Sequence, residues 1–323
     1  MAGMDSTASD LLIRSEVWST ELKDILTDIL QGQKYVNWMS NFPDGTTFTI
    51  PSVGEIPMRT GSENTPVVYD TLDTGEFQFT IDKYPEAAIY ITDKAKQDMY
   101  YYNQLVASFV PKMRRAIEEN LETNIFLLAN SQTAADANAV NGGSHRFVAR
   151  GSTNTLLSLE DFAYAKYALD KAGAHQARVA IIDPSQEYVL NTLTNLVNVS
   201  NNPRFEGIVN EGFVNSTTGL AFVKNIYGFD VYVSNYLDTI TGTEAINADA
   251  RGSITSPSGA VQNMFLSVGG DETPFKGAWR QQLRVESERN KDLRRDEYVM
   301  NGRYGLKLYR PECLVVALSS TSI

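Results

Sequence analysis

The chain has 323 residues, of which 42% are hydrophobic and 21% are charged, as in ordinary globular proteins. Its net charge of −11 lacks the basic excess that neutralises phosphate groups, so tight nucleic-acid binding is not expected. The length suggests about two domains, and the single cysteine, Cys313, excludes an internal disulfide framework. No stretch has the pattern of a signal peptide or a membrane span, and we expect a cytoplasmic protein.

Residues 11–30 have the spacing of an amphipathic helix, with Trp18, Leu22 and Ile25 on one face. Gly32 can end this helix in the left-handed conformation that glycine adopts without strain. The segment precedes every stretch that could form a core. Its apolar face is therefore expected to dock on something distant in sequence, such as another subunit.

Residues 46–92 are predicted to form a long two-stranded arm. The stretches 48–50 and 53–58 look extended, 61–66 has the composition of a turn, and 67–69 starts the return. The arm has too little apolar content for its own core, and an isolated two-stranded ribbon is marginal in water. It is therefore predicted to lie on a partner, with a hairpin folded back on its own domain as the alternative.

A strand that runs into a long helix organises the middle of the chain. Residues 77–81 alternate between apolar and polar, and 87–91 adds a second apolar run. Thr92 and Asp93 are good N-cap residues, and beyond them the apolar spacing predicts a helix about 55 Å long. Its apolar face is formed by Ala95, Met99, Tyr102, Val106, Phe109, Met113, Ile117, Leu121, Ile125 and Leu128.

Pro111 lies inside the helical pattern and is expected to kink the helix, because proline removes one backbone hydrogen bond. Charged residues follow it on a face that we interpret as solvated. They are Lys112, Arg114, Arg115, Glu118, Glu119 and Glu122. Two arginine–glutamate pairs among them have the i,i+4 spacing of ion pairs on a helix surface.

A compact α/β region follows the polar stretch 131–155. Ser158 and Asp161 form a capping box ahead of a helix that ends at Gly173. Asp183 can cap a second helix that has Pro184 at its first position. Strands are predicted at 178–182, 219–223, 227–233 and 264–268. Residues 238–262 are predicted to be a flexible surface loop.

The chain becomes extended again from Gln281 onward. Strands are predicted from Leu283, over 298–309 and over 314–318, with a charged turn or short helix at 289–295. The last strand is expected to pair with the strands that flank the long helix. The α/β region is then an insertion within a discontinuous domain.

The sequence carries no pattern of a catalytic, cofactor or metal site. His145, expected in a loop, and His175 are not at metal-ligand spacing from each other or from Cys313. The glycine pairs at 142–143 and 269–270 lack the lysine or helix of a phosphate loop. We therefore predict no catalytic residue, cofactor or metal. A soluble α/β enzyme with an unrecognised site is the alternative from another class.

The order of these elements resembles the tailed-bacteriophage major capsid protein, which has the Hong Kong 97-type fold. The resemblance covers nearly the whole chain and includes the stretches 81–93, 182–184, 226–235 and 304–311. It implies an α+β fold made of an N-terminal arm (1–45), an extended β-hairpin loop (46–92), a peripheral domain with a long spine helix (93–154 and 271–323), and an inserted axial α/β domain (155–270).

The resemblance implies a coat protein whose copies form the hexamers and pentamers of an icosahedral shell around double-stranded DNA, without tight specific DNA binding. The partners would be further copies of the chain, a portal protein and a separate scaffolding protein, since no long scaffold-like extension is present. No membrane partner is implied. The location would be the virion capsid, assembled in the host cell cytoplasm. An encapsulin-like cellular nanocompartment is the alternative with the same fold.

Subunit contacts are expected along the arm, which would clamp a neighbour, and along the extended loop, the spine helix and the charged turn. The candidate interface residues are Trp18, Leu22, Ile25, Met58, Arg59, Glu63, Arg114, Arg115, Glu118, Glu119, Arg289, Arg294 and Arg295. Some relatives crosslink their subunits through a lysine on the extended loop. The only lysine of that loop here is Lys83, near its base, so non-covalent assembly is predicted.

Overall fold

The computed structural model describes residues 29–322, apart from 40–44, 46, 55, 57, 65, 68, 70, 72–73, 99–101, 133–138, 141, 152–154, 193–221, 247–250 and 271. The helices in the described part are α1 (Asp93–Asp98), α2 (Tyr102–Phe126), α3 (Leu159–Lys171) and α4 (Pro184–Thr192), with short 3-10 helices at Gly32–Tyr35, Leu127–Ser131 and Pro311–Cys313. The strands are β1 (Val36–Met39), β2 (Thr47–Val53), β3 (Thr74–Thr80), β4 (Glu86–Thr92), β5 (Ala139–Val140), β6 (Gly143–Ser144), β7 (Arg146–Val148), β8 (Ala177–Ile182), β9 (Phe222–Ile226), β10 (Phe229–Val233), β11 (Ala245–Ile246), β12 (Ile254–Thr255), β13 (Val261–Val268), β14 (Phe275–Asn290), β15 (Arg295–Leu308) and β16 (Leu314–Ser319).

A four-stranded sheet of order β1-β14-β15-β4 is built around the long antiparallel hairpin β14–β15. β4 pairs antiparallel with β15, and β1 pairs parallel with β14. Helix α2 packs on this sheet through Met113 and Ile117, which contact Met300 in one apolar cluster. Farther along the helix, Leu121 and Ile125 are buried in the main core. The part of the predicted apolar face between residues 113 and 125 is thus buried.

The N-terminal end of the helical region is capped as predicted. The hydroxyl of Thr92 accepts a hydrogen bond from the backbone N–H of Ala95 at 3.3 Å, and α1 begins at Asp93. Helix α2 continues through Pro111 and has 25 residues, so its length is about 37 Å. Residues 99–101 lie outside the described part, so the full rod and its kink stay predictions.

A six-stranded sheet of order β7-β16-β13-β8-β10-β9 forms the second layer. Helix α3 covers one of its faces with Phe162, Ala165 and Leu169, and the C-terminal half of α2 covers the other. The Ser158–Asp161 capping box at the start of α3 is present in both directions, as predicted. These capped helices and buried strands make the α/β region that the sequence indicates.

The expectation that the last strand pairs with the strands flanking the long helix is wrong. β16 lies in the six-stranded sheet, antiparallel to β13 and parallel to β7. Leu314, Val316 and Leu318 face one core, whereas Val315 and Ala317 face the other. A strand without polar alternation is suited to a sheet whose two faces are both covered, and the six-stranded sheet provides this environment.

The predicted strand 227–233 begins later than expected. Tyr227 and Gly228 form the turn between β9 and β10, and their φ angles are +50° and +88°. Positive φ at both central residues is the geometry of a type I′ hairpin turn, whose twist matches that of the flanking strands. The strand itself starts at Phe229.

The prediction of a flexible surface loop over residues 238–262 is wrong for its described part. β11 pairs with β12 there, and Ile246 is fully buried. The guanidinium of Arg251 forms an ion pair with Asp161 at 2.8 Å and lies over the ring of Tyr164, 4.1 Å from its centroid. A few anchoring side chains therefore hold a stretch whose composition is that of a free loop.

We predict that Gly305→Ala destabilises the folded chain. A Cβ at this position in β15 would press on the carbonyl oxygen of Thr80 and lie 3.0 Å from the Cα of Ile81. Both neighbours are backbone atoms that cannot rotate away, so the free energy of unfolding should fall by about 1–3 kcal/mol. Urea denaturation of the unassembled chain measures it.

The matched control is Gly61→Ala. A Cβ at Gly61 would meet no atom within 4 Å, so this variant should unfold like the original chain. Equal stability of both variants would contradict the close approach of β3 to β15.

Candidate functional site

The side chains most able to carry chemistry are built into the six-stranded sheet. His145, expected in a loop, is buried between β6 and β7, and its two ring nitrogens lie 3.1 Å and 3.0 Å from the carbonyl oxygens of Gly143 and Glu312. Burial raises the pKa of the Cys313 thiol to about 12, so the thiol stays protonated at neutral pH. The surroundings of both residues are therefore those of side chains that stabilise the fold.

Neither a group of metal ligands nor a membrane-spanning helix is found among the described residues. No three His, Cys, Asp or Glu side chains of that part are grouped closely enough to hold a metal ion. Among the helices described, none is both long and apolar enough to cross a membrane.

The extended arm is a hairpin of β2 and β3, as predicted, although the return strand starts at Thr74 and not at 67–69. Large apolar side chains of the stretch between the two strands face solvent. Ile56, Met58, Val67 and Tyr69 are 79%, 95%, 75% and 90% exposed. We call residues 54–73 the hairpin tip. These four side chains obtain almost no cover from the chain that carries them.

The base of this hairpin is fixed to the four-stranded sheet. The ring of Phe77 packs edge-on against Tyr309 with centroids 4.9 Å apart. The Nζ of Lys307 donates a hydrogen bond to the carbonyl of Gln78 at 2.7 Å. The backbone of Lys83 bridges to β15 at Tyr304 through two 3.0 Å hydrogen bonds, which places this lysine at the base. These contacts hold the hairpin base on the four-stranded sheet, and the tip extends beyond them.

The charged turn between β14 and β15 forms an ion-pair cluster with the start of α1. Arg289 contacts Asp93 at 2.8 Å and Asp296 at 3.4 Å, and Lys96 also pairs with Asp296. The hydrogen bond from Lys96 lowers the pKa of the Asp296 carboxyl below its ordinary value. Arg295 adjoins this cluster, because its guanidinium lies over the ring of the neighbouring Tyr90 at 4.5 Å.

The predicted ion pairs on the long helix are both present. Arg114 pairs with Glu118, and Arg115 pairs with Glu119, each at 2.7 Å. The hydroxyl of Tyr236 donates a hydrogen bond to Glu119 at 3.1 Å, so the second pair is partly covered by the chain that follows β10. Only the first pair matches the solvated face that the spacing suggests.

Glu122 contradicts the prediction of a solvated face, because it is fully buried. Its Oε1 accepts hydrogen bonds from the backbone N–H groups of Gln31 at 2.7 Å and Gly32 at 2.6 Å. Its Oε2 has no hydrogen-bond partner among the described residues. Burial raises the pKa of this carboxyl above its ordinary value, although the donated N–H groups act in the opposite direction.

Glu122 is therefore the residue that fixes where the N-terminal segment joins the subunit body. It accepts from the first N–H groups of the 3-10 helix Gly32–Tyr35, where the helix dipole favours negative charge. A Cβ on Gly32 would lie 3.0 Å from Oε2, so glycine allows this close approach. The sequence gives one weak signal, since Glu122 directly follows Leu121 at the edge of the apolar stripe.

Comparisons with known proteins give the exposed apolar side chains of the hairpin tip a context. The sequence profile of the phage capsid protein family matches residues 75–317, which is most of the chain. The chain belongs to the phage capsid protein family. Among curated protein sequences, none matches it.

Solved phage capsids share the fold of this phage capsid protein at low sequence identity. The capsid of cyanophage Pam1 is 14% identical, with 100% of both chains covered and a TM-score of 0.69. The capsid of cyanophage P-SCSP1u is 15% identical, with 98% and 95% covered and a TM-score of 0.68. The mature capsid of bacteriophage PhiM1 is 12% identical, with 97% and 94% covered and a TM-score of 0.69.

The fold is the Hong Kong 97-type fold of the α+β class, and the prediction made from the order of elements is confirmed. The chain is a major capsid protein of a phage, a structural protein whose copies assemble into the capsid shell of the virion. Because the family and the structural neighbours are phage capsids, the encapsulin-like alternative is not favoured.

The candidate interface residues of this phage capsid protein fall in four places. Three of them, Trp18, Leu22 and Ile25, lie outside the described residues. The others lie on the hairpin tip (Met58, Arg59, Glu63), on α2 (Arg114, Arg115, Glu118, Glu119) and at the charged turn (Arg289, Arg294, Arg295). The side chain of Arg289 and the backbone carbonyl of Arg294 contact Asp93 at the start of α1, whereas Arg295 contacts Tyr90 and Glu297. A contact of any of these residues with a neighbouring subunit stays a prediction.

We predict that Glu122 makes stability depend on pH. Because its folded pKa lies above the ordinary value of 4.5, its protonation stabilises the folded chain below that pH. This contribution is lost as the pH rises from 4.5 through the raised folded pKa. Relative to Glu122→Gln, which keeps an acceptor oxygen but cannot titrate, the original chain should therefore lose stability over this range.

The measurement is urea unfolding of both chains, unassembled, at several pH values from 4 upward, on the order of half a unit apart around the ordinary carboxyl range. A difference in free energy of unfolding that stays constant with pH would contradict the buried state of Glu122.

Proposed function

We propose that this phage capsid protein forms the hexamers and pentamers of an icosahedral shell that encloses the double-stranded DNA of a tailed phage. The observation that carries the proposal is the exposure of four large apolar side chains on the hairpin tip, Ile56, Met58, Val67 and Tyr69, which are 75–95% exposed. Apolar side chains that are exposed together on a projecting element indicate a surface for another protein. The partner proposed for this surface is a second copy of the same chain.

The position of the tip supports rings of subunits. The base of the hairpin is held by Tyr309 and Lys307, and in this proposal the tip binds a different surface of the neighbouring copy. A contact between two different surfaces of identical subunits is heterologous, and such contacts repeat head to tail until a ring closes. Rings of six and five subunits are the closed forms from which an icosahedral shell is built.

The polar candidates are proposed to surround this apolar contact. Arg59 and Glu63 lie on the exposed tip, and the Arg114–Glu118 pair lies on the exposed part of α2. Charged pairs at the rim of an interface contribute mainly to the choice and orientation of the partner, and less to the affinity. In this proposal they set the register of neighbouring subunits.

The domain division of the subunit is proposed from the same resemblance. The arm (1–45), the extended loop (46–92), the peripheral domain (93–154 and 271–323) and the axial domain (155–270) would each hold the place that they have in the Hong Kong 97-type fold. A separate scaffolding protein and a portal protein are the further partners, and assembly takes place in the host cell cytoplasm. No catalytic activity is proposed.

We propose that the shell encloses DNA without binding it tightly. The net charge is −11, and arginines of the stretch 284–295 are paired with carboxylates of the same subunit. These pairs are Arg284–Glu286, Arg289–Asp93, Arg289–Asp296 and Arg295–Glu297. Paired guanidinium groups release fewer counterions from DNA than free ones would, which favours a weakly interacting wall.

We predict that Met58→Glu abolishes assembly and leaves the subunit folded. Met58 is 95% exposed, so the unassembled chain has almost no contact to lose. Burying an unpaired carboxylate in the contact with a neighbour is strongly unfavourable, and the variant should stay unassembled. Size-exclusion chromatography and electron microscopy of the expressed protein, with its scaffolding protein, measure assembly, and urea denaturation measures folding.

The matched control is Met58→Leu, which keeps an apolar side chain of similar size and should assemble as the original chain does. Shells formed by Met58→Glu in normal yield would show that the hairpin tip is not part of the assembly contact.

We predict that the assembled shell is held by non-covalent contacts. Lys83 is the only lysine of the extended loop, and it lies at the hairpin base beside Asp82, at 3.9 Å. A lysine in this position is far along the chain from the tip that would reach a neighbour. Denaturing gels of mature particles should show single subunits, and a ladder of crosslinked subunits would refute the prediction.

A further inference from the structure

The base of the β2–β3 hairpin touches the four-stranded sheet at two points, and the inner one is buried. A Cβ on Gly305 of β15 would lie 3.0 Å from the Cα of Ile81, so the two backbones are in direct contact there. Phe79 and Ile81 are buried together with Ala278 of β14 in one apolar cluster. The inner contact therefore fixes one point of the hairpin on the sheet.

The outer contact lies farther along the same two strands and is made by side chains near the surface. The half-buried ring of Phe77 packs edge-on against Tyr309, with 4.9 Å between the centroids. The Nζ of Lys307 lies 4.9 Å from the centroid of the Phe77 ring and donates a hydrogen bond to the carbonyl of Gln78. A strand that is held at two points takes its direction from both of them.

Two lysines explain why the hairpin is held at the outer contact. Lys276 of β14 and Lys307 of β15 are directly opposite each other in the strand pairing, where like charges repel. The Nζ of Lys276 lies 4.3 Å from the centroid of the Tyr309 ring, and Lys307 lies over Phe77. Because the face of an aromatic ring is negative, the two rings offset this repulsion. Phe77 is the ring that the hairpin contributes.

We propose that Phe77, held by Lys307 and Tyr309, is a positioning residue that sets the direction of the hairpin tip and thereby the size of the shell. The proposal rests on the proposed function, in which the tip of one copy binds the next copy. In a head-to-tail ring, the angle between neighbouring subunits decides how many copies close the ring. That angle depends on where each tip meets its neighbour.

The length of the hairpin amplifies small changes at the outer contact. Phe77 precedes Ile81 by four positions, which is about 13 Å of strand, and Thr74 at the end of β3 is about 10 Å farther out. β2 pairs with β3 over its whole length, so the two strands turn as one unit. A displacement at Phe77 is therefore almost doubled at Thr74 and grows further toward the tip.

Distance measurements in the unassembled full-length chain test the positioning role. Nitroxide labels are attached to Thr74→Cys at the end of β3 and to Glu288→Cys in β14, two exposed positions. Cys313 is buried with a raised thiol pKa, so it stays unlabelled. Pulsed electron paramagnetic resonance then gives the distribution of distances between the labels. Phe77→Ala should at least double the width of this distribution, and Phe77→Tyr, which keeps the ring, should restore the original width.

The matched control is Tyr90→Ala. The ring of Tyr90 also holds a cation, the guanidinium of Arg295 at 4.5 Å, but it lies on β4 beside the charged turn. Its removal should leave the distance distribution unchanged. Tyr309→Ala removes the second ring of the outer contact and should broaden the distribution as Phe77→Ala does. The double variant should broaden it no further, because both changes open the same contact.

Electron microscopy of shells formed with the scaffolding protein tests the link to shell size. Phe77→Ala should lower the fraction of particles that have the original diameter at least threefold, in favour of other diameters and open shells. Phe77→Tyr should keep the original diameter. Urea denaturation of the unassembled variants confirms that each of them is folded.

Two results would overturn the proposal. An unchanged distance distribution in Phe77→Ala would show that the inner contact alone sets the direction of the hairpin. A broader distribution together with shells of unchanged diameter would show that this direction does not determine shell size. Shell formation by the original chain is a separate test. Its failure would contradict the proposed assembly function, whereas the distance measurement would still decide the positioning role of Phe77.

Discussion

Burial of the final strand on both faces joins the two parts of the subunit into one body. The chain leaves the four-stranded sheet at the end of β15 and enters the six-stranded sheet as β16, between β7, which precedes the α/β region, and β13, which is the last strand of that region. The side chain of Gln132, just after α2, donates to the carbonyl of Leu314 at 2.7 Å and ties the helix to this crossing. Residues of both sheets, including Phe275 and Leu266, then share one apolar cluster. Residues of both sheets consequently contact the long helix α2.

The apolar side chains that this fold leaves exposed lie outside the shared core. The core-facing residues described on α2, α3 and both sheets are covered within the chain, whereas Ile56, Met58, Val67 and Tyr69 of the hairpin tip are not. A partner that binds these exposed side chains in the folded chain adds to the stability of the fold. The family membership gives these surfaces their meaning, since a capsid subunit functions only through contacts with its copies.

The sequence predicts best the features that depend on near neighbours in the chain. Alternation and capping located β4, α3 and the Thr92 cap, because a strand face or an N-cap is decided within a few residues. The burial of Glu122 was not predicted, because it depends on an N–H group 90 positions away in the sequence. The anchoring role of Arg251 was not predicted for the same reason, since the ring of Tyr164 that it contacts lies in another element. The order of elements identified the fold, but no residue pattern could show which side chains meet a neighbouring subunit.

The magnitudes indicate why many contacts must act together in the shell. Fully burying a large apolar side chain contributes about 1.5–3 kcal/mol, and the tip offers a few such side chains. Association of two subunits costs about 4–15 kcal/mol in lost freedom of motion, so one tip contact is close to balance. In the proposed ring, every subunit both gives and receives a tip, so the closing pair adds contacts without a new association step. Assembly of a closed shell can therefore be cooperative while each pairwise contact stays weak enough to correct errors.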